Sequence, residues 1–101
     1  MRRRGPESEP RSTRRLETAI LGSGIAGLSA AWHLQRSGCE GVELFELQKQ
    51  PGGNSRFADY PAGPAPWAAH YLPIPTQESL AVRALLKEMG LMSEDKNGKP
   101  L

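Results

Sequence analysis

The feature that most constrains this chain is the run Thr18-Ala-Ile-Leu-Gly22-Ser-Gly24-Ile-Ala-Gly27-Leu-Ser-Ala-Ala. An apolar stretch ends in Gly-x-Gly-x-x-Gly, and a helix-periodic segment follows. A second strand-like run, Val42-Glu-Leu-Phe-Glu46, then closes on an acid 24 residues after Gly22. Strand, glycine turn, helix and second strand with a terminal carboxylate make the unit that binds the ADP half of a dinucleotide. The predicted fold class is α/β: a partial Rossmann-like FAD/NAD(P)-binding βαβ unit.

Each position has a physical reason. Gly22 lets the chain turn sharply off the strand, because only glycine reaches such dihedrals without a Cβ clash. Gly24 keeps a side chain away from a pyrophosphate that must lie almost against the backbone. The N–H groups of Ile25 and Ala26, at the helix start, would point at phosphate oxygens with the helix dipole adding partial positive charge. Gly27 faces the strand, and Ala30, Ala31 and Leu34 continue its face at helical spacing. Gly38, just past the last periodic residue, suits a left-handed C-terminal cap.

Alternation by two puts Glu46 on the face of Val42 and Leu44, at the carboxyl end of its strand. A carboxylate there accepts hydrogen bonds from ribose hydroxyls, whereas a 2′-phosphate would meet like charge. FAD or NAD therefore fits and NADP does not. Gly22, Ser23, Gly24, Ile25, Ala26, Gly27, Glu46 and Leu47 are the candidate cofactor-binding residues of this unit.

With Gly38, Glu46 and a later Gly52-Gly53 pair, the glycine run resembles the N-terminus of FAD-dependent oxidoreductases of the amine oxidase and phytoene desaturase type. The likeness covers about residues 17 to 91 and is strongest over 18 to 56. In that family the Gly-Gly pair usually precedes arginine, and its loop lies along the phosphate and ribityl region of the flavin. The resemblance thus adds Gly53, Asn54, Ser55 and Arg56 to the candidates. Asn54 stands where arginine is usual, so the phosphate contact passes to Asn54 and Ser55 or is displaced to Arg56. The linker Gly38-Cys39-Glu40-Gly41 is one residue longer than is usual in the family, although strand parity survives it. Gly52-Gly53 also favours FAD over NAD, since NAD-binding dehydrogenases usually enter a helix after the ribose acid.

Phe57 to Pro75 carries five prolines with Tyr60, Trp67, His70 and Tyr71. Neither a long helix nor a central strand suits it, and an extended, aromatic-bearing loop is expected. By resemblance, Trp67-Ala68-Ala69-His70-Tyr71 approaches the isoalloxazine ring; the alternative is that Trp67 and Tyr71 cover the core and His70 packs or lies at the surface. A packing helix follows, with Thr76 as N-cap, Glu78 in the first turn and Gly90 as stop. Leu80, Ala84, Leu85 and Met89 form its apolar stripe, with Arg83, Lys87 and Glu88 on other faces. Asn97-Gly98 is a hairpin signal with almost nothing after it to form a second strand.

Length and charge bound the rest. One hundred and one residues suffice for one small domain but not for a flavin module plus a substrate domain. The expected organisation is a disordered basic tail over 1–16 and a partial FAD-binding Rossmann-like domain over 17–101, an N-terminal fragment or truncated frame. Six arginines and two acids give the tail a charge of +4, leaving −2 for the remainder. Without interleaved aromatics this does not point to nucleic acid. Ser12-Thr-Arg14-Arg15-Leu16 hints at a twin-arginine export signal, but the apolar run after it is the cofactor unit itself, so a cytoplasmic location is preferred. No transmembrane span is expected.

Cys39 is the single cysteine, which excludes an internal disulfide and a Cys-x-x-Cys redox pair. His33 and His70 have no ligand-spaced companions, so no metal site is expected, and no hydrolase constellation surrounds the serines. The leading function is the N-terminal FAD-binding portion of a flavin-dependent oxidoreductase acting on a C–N or C–C bond, with FAD and a small-molecule substrate as partners of the parent protein. An NAD-binding dehydrogenase segment and a non-catalytic nucleotide-binding remnant are the alternatives. Catalytic residues are not identified.

Overall fold

The computed structural model describes residues 9–68 and 71–100. The chain forms two compact units, one ending at Ala68 and the other beginning at Ala69. His70 and Ala69, given a place near the flavin ring by resemblance, lie outside the described residues, as do residues 1–8 of the basic tail.

In the first unit β1 (Thr18–Leu21), α1 (Ile25–Arg36) and β2 (Val42–Phe45) form a βαβ unit. The strands are parallel, with Thr18 opposite Val42 and Leu21 opposite Phe45. The N–H of Gly22 donates to the Phe45 carbonyl at 2.7 Å and carries the pairing one step further. Alternation along β1 half-buries Thr18 and Ile20 and exposes Ala19 and Leu21. Ile20 lies on the α1 side, its Cγ2 3.4 Å from where a Cβ on Gly27 would stand. On α1, Ala31 and Leu34 are half-buried as the helical period predicts, whereas Ala30 is exposed, because two strands are too narrow to cover more of the helix.

α1 ends in a Schellman motif. Gly38 takes φ +77°, Cys39 N–H donates to Leu34 O at 3.0 Å and Gly38 N–H to Gln35 O at 3.1 Å. The linker places a second left-handed glycine at Gly41, and chain direction is restored before Val42.

The expected extended loop after Arg56 is in part a hairpin. β3 (Phe57–Tyr60) pairs antiparallel with β4 (Gly63–Pro66) across the two-residue loop Pro61-Ala62. Trp67 N–H donates to Arg56 O at 2.9 Å, so hydrogen-bonded pairs recur every second residue from there. Pro64 and Pro66 therefore fall at the non-bonded pairs, where the N–H groups they lack would have pointed away from the partner strand. Proline spacing by two is compatible with a strand, and that is what the sequence reading missed.

Residues 9–16 form no regular element, but Arg14 pairs with Glu43 and lies 5.9 Å from the Phe45 ring centroid on β2.

The second unit is organised by α2 (Leu80–Glu88). Its N-cap is Ser79, not Thr76. Thr76 instead closes a preceding turn, accepting from Ser79 N–H at 3.2 Å, and no side chain caps the helix. The expected apolar stripe is also corrected, because Leu80 and Met89 are exposed while Arg83 and Leu86 are buried. Arg83 is drawn in because the loops around it leave carbonyls without ladder partners. Its Nη1 donates to Pro75 O at 3.1 Å, and its Nη2 donates to Glu94 and to Gly98 O. Lys87 pairs with the other oxygen of Glu94. The Asn97-Gly98 turn does find a partner segment, since Glu94 bridges to Pro100. Among the described residues no helix is long and apolar enough to cross a membrane.

Candidate dinucleotide-binding site

The four glycines around the first turn serve different ends. Gly22 has φ +99°, the left-handed region that disfavours other residues. At Gly27 a Cβ would stand 1.9 Å from the Gly22 carbonyl oxygen, so glycine is what lets the helix pass the strand end. At Gly53, with φ +58°, a Cβ would stand 3.0 Å from the Gly24 Cα. Gly24 differs from all of these. Its φ is −71° and its ψ −178°, ordinary extended backbone, and among the described residues no atom beyond its chain neighbours lies within 4 Å of its Cβ position. Nothing among the described residues requires glycine there, and the space a side chain would fill is open.

That open space adjoins the start of α1. Leu28 N–H makes the first helical bond, to Gly24 O at 3.0 Å, and no side chain caps the helix. The N–H groups of Ile25, Ala26 and Gly27 thus have no intrahelical acceptor, and the helix dipole concentrates partial positive charge on them. No acid stands in the first turn to neutralise it.

Glu46 closes the far side. Its Oε2 accepts from Ser23 N–H at 2.9 Å and from the Ser23 hydroxyl, and its Oε1 accepts from Gln48 N–H at 2.8 Å. The Ser23 hydroxyl first, then the Gln48 and Ser23 amides, lower the carboxyl to about 2. Donors that favour the charged form outweigh its small desolvation. The carboxylate of β2 is in this way tied to the glycine turn of β1.

After Glu46 the chain enters no helix. It returns to the turn instead: Gly52 N–H donates to Ser23 O at 2.8 Å, and Gly53 presses on Gly24. Residues 20–89 match the NAD(P)-binding Rossmann-like domain family. The chain belongs to that family.

This Rossmann-like domain is 42% identical over 48 residues to hydroxyneurosporene desaturase of Cereibacter sphaeroides, and 34% identical over 79 residues to D-amino acid dehydrogenase of Vibrio vulnificus. It is 37% identical over 51 residues to tryptophan 2-monooxygenase of Allorhizobium ampelinum. Those matches take in 48%, 72% and 50% of the chain but only 10%, 17% and 7% of the three proteins. The chain therefore spans less than a fifth of these relatives. The resemblance read from Gly22 to Arg56 holds, and what the Rossmann-like domain shares with these oxidoreductases is a nucleotide-binding segment.

The structure gathers Gly22, Ser23, Gly24, Ile25, Ala26, Gly27, Glu46 and Gly53 around one turn. Leu47 is fully exposed beside Glu46, and Asn54 and Ser55 are exposed on the returning loop. Arg56 is half-buried, its guanidinium 3.9 Å from the Trp67 ring centroid and its Nε without a hydrogen-bond partner. An open cleft of about 600 Å³ beside it is lined by Gln50, Ser55, Asp59 and Trp67 among others. Sequence reasoning missed the donors Gln48 N–H and Gly52 N–H. Backbone amides carry no side-chain signal, and only the Pro51-Gly52 turn hinted at a chain reversal. Among the described residues no three His, Cys, Asp or Glu side chains gather as metal ligands.

Proposed function

We propose that this Rossmann-like domain is the N-terminal FAD-binding portion of a flavin-dependent oxidoreductase of the amine oxidase and desaturase type. The observation that carries the reading is Gly24: its missing Cβ faces open space, while the other glycines of the turn answer to the chain's own backbone. A pyrophosphate fits that space, against the N–H groups of Ile25 and Ala26, with Gly22, Ser23 and Gly27 shaping the turn. Glu46 receives the adenosine ribose and Leu47 borders it. Asn54, Ser55 and Arg56, which follow Gly53 on the returning loop, are the polar groups of the phosphate side in this reading.

FAD is preferred to NAD because a loop, not a helix, follows Glu46 and closes over the turn at Gly53. Bound FAD would supply the redox chemistry of the parent enzyme, accepting a hydride from a C–H bond as the adjoining C–N or C–C bond becomes double and the neighbouring atom loses a proton. The residues described here bind and orient its ADP end. The names of the relatives support small-molecule substrates for the parent, and a cytoplasmic location is kept because the apolar run after Arg14-Arg15 is the cofactor unit itself.

The test is a titration of the full chain with FAD, NAD and NADP, followed by flavin or tryptophan fluorescence. FAD should bind more tightly than NAD, and NADP least. Gly24→Val should abolish FAD binding, since a β-branched side chain occupies the pyrophosphate's place. Glu46→Gln should weaken it roughly tenfold, as a charge-assisted acceptor becomes a neutral one. Undiminished FAD binding by Gly24→Val would overturn the reading.

A further inference from the structure

Ser23 is wholly buried, so a bound nucleotide does not touch its side chain. Both of its donors nevertheless go to one carboxylate oxygen, Glu46 Oε2. A carboxylate offers about four lone-pair sites. Ser23 occupies both on Oε2, and Gln48 N–H takes one on Oε1, which leaves a single site on Oε1 for an incoming hydroxyl.

Resting on the reading that this turn takes the ADP portion of FAD, we propose that Ser23 is a positioning residue that acts through Glu46. It fixes the carboxylate so that Oε1 alone presents an acceptor to the ribose. A serine is suited to this place because it supplies an N–H and a hydroxyl from one residue within the volume of a buried turn. Alanine would keep the amide and lose the hydroxyl, leaving Oε2 with one donor and the carboxylate less firmly oriented.

The same bonds govern the charge of the acceptor. The Ser23 hydroxyl is the largest cause of the lowered Glu46 carboxyl, followed by the amides of Gln48 and Ser23, and among the described residues no charged side chain contributes. The turn packed against Glu46, Gly22 to Gly27, carries no ionisable side chain, and on its own loop the nearest charge in sequence is Lys49. With Ser23 in place the acceptor stays ionised through mild acid. Without the hydroxyl, Glu46 titrates closer to the ordinary carboxylate range, and a protonated carboxyl no longer gives a charge-assisted acceptor.

The test titrates FAD into the full chain and into Ser23→Ala, Glu46→Gln and the double variant, from pH 8 to pH 4. The FAD pyrophosphate does not titrate in this range, and adenine protonation is common to all four proteins, so ratios of affinity isolate Glu46. Ser23→Ala should bind roughly three- to tenfold more weakly than wild type at pH 8, and the ratio should widen by pH 4, by about fourfold at most. In the Glu46→Gln background, Ser23→Ala should add no further loss and no pH dependence. Parallel pH profiles for wild type and Ser23→Ala, or additive losses in the double variant, would overturn the role of Ser23. Wild type that fails to bind FAD at pH 8 would overturn the underlying reading instead. Should Ser23→Ala not fold, Ser23→Cys, which keeps the volume and replaces the hydroxyl by a weak donor, takes its place with the same two outcomes.

Discussion

Gly53 rests on Gly24, its backbone so near that a Cβ would stand 3.0 Å from the Gly24 Cα. This contact joins the loop after β2 to the turn after β1, two segments that the intervening α1 keeps apart in sequence. It also leaves the open side of Gly24 as the place where a ligand can meet the backbone.

Gly53→Ala should therefore act on both fold and binding. Its φ of +58° costs a residue with a Cβ about 1–2 kcal/mol, and the close approach to backbone adds to that. Urea unfolding should show the loss, and FAD affinity should fall with it because the loop no longer closes on the turn.

Gly24→Ala and Gly27→Ala should separate a ligand glycine from a packing glycine. At Gly24 the backbone suits any residue and the space is open, so unfolding should move by no more than about 0.5 kcal/mol while FAD binding weakens. At Gly27 the methyl would meet the Gly22 carbonyl at 1.9 Å, and the βαβ unit should lose about 3 kcal/mol or more. Equal losses of stability in the two variants would count against this division of roles.

Acid should loosen the second unit through Glu94. Its hydrogen bonds and charge contacts with Lys87 and Arg83 hold its carboxyl below the ordinary value of 4.5. A carboxyl lowered in the folded state contributes stability that is present above its unfolded value and is lost as pH falls through the folded one. Helical circular dichroism should hence decline below about pH 4.5, and Glu94→Gln should flatten that part of the profile.

Arg83→Met should cost about 2 kcal/mol or more, because the Pro75 and Gly98 carbonyls and Glu94 lose a shared donor in a buried place. Thermal unfolding monitored at α2 measures it. An unchanged transition would mean that water replaces the guanidinium without penalty.

Trp67→Ala should loosen the exit of the β3–β4 hairpin by about 1 kcal/mol, the scale of a partly exposed cation–π contact. The Arg56 side-chain protons should lie upfield in the wild type, over the indole, and return to random-coil positions in the variant.

Those features that depend on a residue and its near neighbours were legible in the sequence. Gly22, Gly38 and Gly90 announce positive φ, and all three have it. The period of α1 and the parity that sets Glu46 with Val42 and Leu44 follow from local geometry. Gly-x-Gly-x-x-Gly, with a strand before it and an acid 24 residues on, was enough to give the βαβ unit and its ligand class.

What only the tertiary structure decided is which distant groups meet. Ser23, read as a cofactor contact, is buried against Glu46. Arg83, read on a face other than the apolar stripe, is inside because carbonyls from two loops converge on it. Pro64 and Pro66, read as part of an extended loop unsuited to a central strand, sit at positions where a strand needs no N–H. The physical reason is the same in each case. Local dihedral preferences and periodicity are properties of short stretches of chain, whereas satisfaction of a buried donor or acceptor depends on chain reversals that bring remote segments together.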